Sequence, residues 1–172
     1  MAEDLEYTHI DRALIEQAAD VMALAKDRKL SIVTAESCTG GLIAAVLSEA
    51  PGAGDWLHGG FVTYTKENKQ AALGVTLDLI EREGVVSEAV ARAMAEGALA
   101  RSPADVSVAV TGVAGPATDD EGNPVGTAHL AAARRGGELL HVRRDFGDIG
   151  RGPCRYSAVK EALDLLRQAM QR

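Results

Sequence analysis

The chain has 172 residues, 47% of them hydrophobic and 25% charged, which suits one globular domain with a sizeable core and no linker-like division. A net charge of −7 with only 3% aromatic residues argues against a general nucleic-acid binder, which needs a basic face and often stacking aromatics. The apolar runs are far shorter than a membrane span and the start, Met1-Ala2-Glu3-Asp4, is acidic where a secretory signal is basic, so a cytoplasmic protein with no membrane association is expected.

Residues 11 to 28 carry an apolar helical stripe at Leu14, Ile15, Ala18, Val21, Met22 and Leu24, after a tail over residues 1–10. Leu30 to Ala35 reads as a buried strand, and Leu42 to Leu47 as a helix ending near Pro51-Gly52. Leu57 to Thr65 is a second strand, and Lys66 to Leu73 a short helix. After a turn at Gly84, Ser87 and Glu88 open a helix reaching Ala100. Val106 to Val110 is a further buried strand, followed by Thr111-Gly112-Val113-Ala114-Gly115-Pro116 and a polar loop over 117–124. Gly126 to Ala133 and Glu138 to Phe146 form a hairpin across Arg134-Arg135-Gly136-Gly137, and Tyr156 to Met170 is a closing amphipathic helix. Helices interleaved with parallel strands, then one hairpin, imply an α/β layered fold with a mixed sheet.

Between the first strand and its helix lies Thr34-Ala35-Glu36-Ser37-Cys38-Thr39-Gly40-Gly41. Such a strand-to-helix turn turns backbone N–H groups and the positive end of a helix dipole toward whatever sits above it, a natural place for a phosphate, a carboxylate or an oxyanion. Ser37 there is a candidate nucleophile; the plainer reading makes Ser37 or Thr39 a helix cap and the glycines packing devices. The second strand delivers Tyr64, Lys66 and Lys69 at or just beyond its end, where ligands of open α/β sheets lie. Burial lowers a lysine from its usual ~10.4 toward neutrality, and the neutral amine can take a serine proton; solvated helix-surface lysines are the alternative. Thr111 to Pro116 either approaches a ligand with its backbone or is a plain turn. Arg151 and Arg155, flanking Gly152-Pro153-Cys154, suit a phosphate fork, or else simply face solvent. Two cysteines, Cys38 and Cys154, are too few for a disulfide framework, and His9, His58, His129 and His141 form no metal-ligand spacing, so no metal is expected.

Together these segments resemble the CinA C-terminal domain family, whose characterised enzymes are nicotinamide-mononucleotide deamidases, from about residue 12 to residue 171. The resemblance rests on the 34–41 octapeptide, on Gly60-Phe61-Val62-Thr63-Tyr64 followed by Lys69, on Gly84-Val85-Val86-Ser87-Glu88, on Thr111 to Pro116, and on Pro124-Val125-Gly126-Thr127. It implies a three-layer α/β/α fold with a mixed five- or six-stranded sheet, and one domain over 1–172. It also implies hydrolysis of the amide of nicotinamide mononucleotide to nicotinic acid mononucleotide and ammonia, a step of pyridine-nucleotide salvage.

By the resemblance Ser37 is the nucleophile and Lys69 its general base, a Ser-Lys dyad, and Thr111 completes the relay. Tyr64 and an arginine at the start of the last helix assist substrate binding. The N–H groups of Cys38, Thr39, Gly40 and Gly41 would serve the oxyanion, with Gly112 and Gly115 close to the substrate and no cofactor. One departure concerns Gly147-Asp148-Ile149-Gly150-Arg151-Gly152-Pro153-Cys154-Arg155, which carries an apparent insertion relative to the family's Gly-Asp-Arg and Val-Arg pattern. Arg155 is favoured over Arg151 for the phosphate, because Tyr156-Ser157-Ala158 continues the helix in register. Many family members have a further N-terminal nucleotide-processing domain, so a stand-alone form is expected here, with homo-oligomerisation an open expectation. A non-catalytic nucleotide-sensing or protein-interaction module of the competence- or damage-inducible type is the alternative. A thiol amidase using Cys38 is the other, with no histidine near Cys38 in any motif.

Overall fold

The computed structural model describes residues 9–172; the expected tail lies, through residue 8, outside the described residues. The first helix, α1 (Arg12–Arg28), starts where the Asp11 carboxylate accepts the Leu14 N–H and ends at Lys29, whose left-handed backbone sends its N–H back to the Ala25 and Lys26 carbonyls. Strand β1 (Ile32–Glu36) is buried at all five positions, as a central parallel strand must be. It is followed by α2 (Leu42–Ser48), α3 (Ala53–Trp56) and β2 (Leu57–Val62). Then come three helices, α4 (Lys66–Leu73), α5 (Leu77–Glu83) and α6 (Glu88–Ala100), whose N-caps Thr65, Thr76 and Ser87 each accept a backbone N–H three residues on. The chain closes with β3 (Val106–Gly112), β4 (Thr127–Arg134), β5 (Leu139–Asp145) and α7 (Arg151–Gln171).

The five strands lie in the order β2-β1-β3-β4-β5, with β1 parallel to both neighbours and the β3-β4-β5 portion antiparallel. The mixed sheet and its helices on both faces are those of an α/β three-layer fold. Alternation along β3 shows the layers: Val106, Val108 and Val110 pack with Leu14, Leu163 and Leu166 of α1 and α7, while Ala109 faces Val90 and Met94 of α6. Each such fully buried valine or leucine contributes roughly 1.5–3 kcal/mol of transfer free energy. Gly97 lets α6 approach α4 closely, since a Cβ there would collide with the Leu73 carbonyl.

From β1 the chain passes through α2 and α3 to β2 on one side, and from β2 through α4, α5 and α6 to β3 on the other. A crevice therefore opens at the carboxyl end of β1, where the sheet's winding reverses. Several boundaries differ from the sequence reading. The helix α5 and the single turn α3 were not anticipated, because each is too short to show a stripe; only Ile80 of α5 is fully buried, and no residue of α3. Strand β2 stops at Val62 rather than Thr65, since Thr65 is the cap of α4. Helix α7 begins at Arg151, five residues before Tyr156, with Pro153 in its first turn, where the missing N–H would have had no helical partner.

Candidate active site

The octapeptide after Thr34 is built around a buried carboxylate. Glu36, fully buried, accepts five hydrogen bonds: from Thr34 Oγ1 (3.0 Å) and Ala44 N (2.9 Å) at Oε1, and from Thr39 Oγ1 (2.7 Å), Gly41 N (3.0 Å) and Ile43 N (3.0 Å) at Oε2. A negative charge at the N-terminus of α2 complements the helix dipole and satisfies its first N–H groups. Gly41, the cap residue, has φ +94°, a conformation that needs glycine. Ser37 N donates to the Val110 carbonyl (3.1 Å), tying the turn to the end of β3.

Lys69 lies on α4 with no exposed surface. Its Nζ donates to Ser37 Oγ at 2.9 Å, to the Thr63 carbonyl at 2.8 Å and, more distantly, to the Tyr64 carbonyl at 3.5 Å. Burial pushes the amine down from 10.5 to about 8, opposed only in part by the neighbouring Cys38. The surroundings so disfavour the ammonium, yet offer one acceptor for each of its three protons. Burial also pushes the Cys38 thiol up to about 11, which keeps it protonated near neutrality and a poor nucleophile.

Ser37 is 9% exposed and opens onto a cavity of about 260 Å³. Cys38, Thr111, Gly112 and Gly115 line it, with Tyr64 and Arg151 at its mouth. Arg151 Nη1 donates to the Gly115 carbonyl (2.8 Å) and Nη2 to the Tyr64 hydroxyl (2.9 Å), bridging the mouth between α7 and the β2–α4 connection.

Four sequence expectations need correction. Arg155, favoured for the phosphate, does not line this cavity: its Nη2 donates to the Thr39 carbonyl at 2.7 Å, behind the turn, and Arg151 has the cavity position. The Gly41 N–H is not free to meet a substrate, because Glu36 takes it, as it takes the Thr39 hydroxyl. The Gly40 N–H is likewise taken by the Ser37 carbonyl (3.0 Å), leaving those of Cys38 and Thr39 with no backbone carbonyl partner among the described residues. Thr111 lines the cavity and makes no hydrogen bond to Ser37 or Lys69 among the described residues; its hydroxyl proton goes to the Val85 carbonyl (2.9 Å), so toward the cavity it can only accept.

Sequence reasoning passed over three contributors. Glu36 was quoted within the motif but given no role, although an acid immediately before a Ser/Thr/Gly helix opening is a signal for an N-terminal anchor. Asp119, on the cavity wall, accepts the Glu121 and Asn123 N–H groups and shapes the 117–124 loop. Glu121 fixes that loop by accepting the Val85 N–H (2.9 Å at Oε2) and the Lys66 ammonium (3.4 Å). Among the described residues there is no cluster of three His, Cys, Asp or Glu that could hold a metal ion, and no helix long and apolar enough to cross a membrane.

The sequence pattern of the family described as CinA C-terminal domain matches residues 15–170. A CinA-like protein of Synechocystis sp. is 41% identical over 155 residues, 90% of this chain and 37% of that protein. A putative competence-damage inducible protein of Symbiobacterium thermophilum is 50% identical over 126 residues, 73% of this chain and 29% of its own. The chain thus spans little more than a third of the curated relatives it matches. Among solved structures, the competence/damage inducible protein CihA from Agrobacterium tumefaciens superposes with a TM-score of 0.88 at 41% identity, over 96% of this chain and 98% of its own. A CinA superfamily protein from Escherichia coli gives 0.86 at 33% identity, over 98% and 93%.

Proposed function

This chain belongs to the CinA C-terminal domain family, and we propose that it is a hydrolytic amidase that converts nicotinamide mononucleotide to nicotinic acid mononucleotide and ammonia. The observation that carries the reading is the 2.9 Å contact between Lys69 Nζ and Ser37 Oγ, with the lysine buried and its pKa near 8. A solvated lysine beside a serine would stay charged and could not take the hydroxyl proton; this one is neutral in an appreciable fraction of molecules at physiological pH.

The neutral amine of Lys69 removes the Ser37 proton as Oγ attacks the carboxamide carbon. The resulting oxyanion is met by the Cys38 and Thr39 N–H groups, which donate to no backbone carbonyl among the described residues. The Lys69 ammonium, supported by the Thr63 and Tyr64 carbonyls, then gives its proton to the amide nitrogen, ammonia departs, and an acyl-Ser37 ester remains. Water enters where ammonia left and gives its proton to Lys69. Its oxygen attacks the ester, and Ser37 leaves with the proton from Lys69 as the carboxylic acid is released. Thr111, able only to accept, orients the amide NH2 of the substrate, and Arg151 with Tyr64 receives the phosphate at the mouth.

The test is ammonia release by the purified chain from nicotinamide mononucleotide, compared with nicotinamide and free amino-acid amides. Turnover restricted to the mononucleotide is the expected result. Tight binding of the mononucleotide with no ammonia would instead favour a nucleotide-sensing module, in keeping with the competence/damage-inducible names of the relatives.

A further inference from the structure

The sheet ends in two edges of different character. At β2 the register with β1 slips by one residue, Ile32 facing Leu57 and Val33 facing Gly59, a bulge of the kind that blunts an edge against pairing. At the other end β5 pairs with β4 without a slip from Leu139 to Asp145, and no further strand pairs with its outer edge among the described residues. The Phe146 N–H points inward, to the Gly126 carbonyl (2.9 Å), so the N–H and C=O of the even-numbered residues face β4 and those of Leu139, His141, Arg143 and Asp145 face outward. The outward carbonyls of Leu139 and Arg143 meet only side chains, Arg92 at 3.4 Å and Arg144 at 3.1 Å.

The side chains of β5 supply a pattern. On the α7 face, in order, stand Glu138, just ahead of the strand, then Leu140, Val142 and Arg144. They border a groove of about 570 Å³ between β5 and α7 whose apolar floor includes Leu165. The row is acid, apolar, apolar, base, and it is complementary to itself when reversed. We propose that β5 is the interface of a homodimer, in which two copies pair antiparallel about a two-fold axis through His141 and the two sheets become one. In that register Glu138 faces the partner's Arg144, Leu140 faces the partner's Val142, and the outward groups of His141 bond those of the partner's His141. Moving the axis to Leu140 sets Glu138 against the partner's Val142, and moving it to Val142 sets Arg144 against the partner's Leu140, so neither neighbouring register pairs the charges. Glu138 and Arg144 now contact Arg172 and Glu161 of their own chain, each at 3.0 Å, and these contacts extend into a four-membered charge network at each end of the interface.

The test is the mass of the purified chain by sedimentation equilibrium, with far-UV circular dichroism as the check on folding. A dimer is expected below about 100 μM. Glu138→Arg and Arg144→Glu, each setting like charges opposite one another twice per dimer, should each raise the dimer dissociation constant about ten- to a hundred-fold. The double exchange, Glu138→Arg with Arg144→Glu, restores complementarity only in the His141-centred register and should return it to within a few-fold of wild type. Arg143→Pro removes an outward N–H without touching the β4 ladder, and should give a folded monomer. A wild type that stays monomeric, a dimer indifferent to Arg143→Pro, or a double exchange no tighter than the single ones would each overturn the proposal.

Discussion

Arg151 and Arg155 stand one helical turn apart on α7 and hold different segments: Arg151 bridges Gly115 and Tyr64 at the cavity mouth, and Arg155 grips the Thr39 carbonyl. A charge-assisted contact to phosphate is worth on the order of 1.5–3 kcal/mol, so Arg151→Ala should weaken apparent affinity for the mononucleotide about 10- to 100-fold. Nicotinamide riboside, lacking the phosphate, should be a poor substrate and lose little further in the variant. Arg155→Ala should instead lower the urea midpoint of unfolding, by about 1–3 kcal/mol in stability. Equal losses of affinity in both variants would put the phosphate elsewhere.

Ser37→Ala should abolish ammonia release while leaving the fold intact, and Cys38→Ala should keep most of the activity. Loss of a nucleophile removes several orders of magnitude in rate, far more than loss of a helix cap. A dead Cys38→Ala with an active Ser37→Ala would transfer the chemistry to the thiol, against the upward shift of its pKa.

Lys69→Met should fail even at saturating substrate, and wild-type kcat/KM should rise with pH through an apparent pKa near 8 as the amine becomes neutral. Lys66→Met should be nearly silent, since its ion pair with Glu121 is exposed and long, 3.4 Å. A rate that is flat from pH 6 to about 9 would remove Lys69 from the base role.

The same lysine makes stability depend on pH. Its folded-state pKa lies below the unfolded one, so the unfolded chain binds more protons between about 8 and 10.5, and wild-type stability should rise with pH over that window. At pH 7 the buried amine costs up to about 3 kcal/mol, and Lys69→Met should unfold at a higher temperature than wild type there, by a margin that shrinks by pH 10. A margin that grows with pH would contradict the assignment.

Glu36→Gln replaces an acceptor of five hydrogen bonds with a group whose NH2 opposes donors it must face. A loss of about 2–5 kcal/mol is expected from denaturant unfolding. An unchanged midpoint would mean that the turn is held without Glu36, by its glycines, the Ser37–Val110 bond and Arg155.

Much of this arrangement is legible in the sequence. The strands read as Leu30 to Ala35 and Val106 to Val110 fall within a residue or two of those observed, and Ser37 is singled out by its position at a strand end, while Lys69 is chosen over Lys66 by the family resemblance. What periodicity cannot show is direction. Arg151 and Arg155 share a helix face and differ by one turn of rise, about 6 Å, and only the start of α7 at Gly150 decides which of them reaches the cavity. Thr111 is expected to complete the relay, but the destination of its proton depends on Val85, far off in sequence. The N–H groups of Gly40 and Gly41 looked available because the competing acceptors, the Ser37 carbonyl and the Glu36 carboxylate, belong to the same short motif and leave no trace in its composition.

On the proposed function, the carboxylate of Glu36 also bears on which way round a substrate lies. By sitting on the N-terminus of α2 it cancels the positive pole that would otherwise draw a phosphate toward Ser37, and the inner end of the cavity is left without a cationic attraction other than the weakly basic Lys69. The guanidinium of Arg151 then marks the outer end as the anionic one. On the proposed function, a nucleotide amide lies with its phosphate outward and its carboxamide inward. On that reading the two ends of the cavity together gauge molecular length, and nicotinamide alone, with no phosphate, should be a poor substrate.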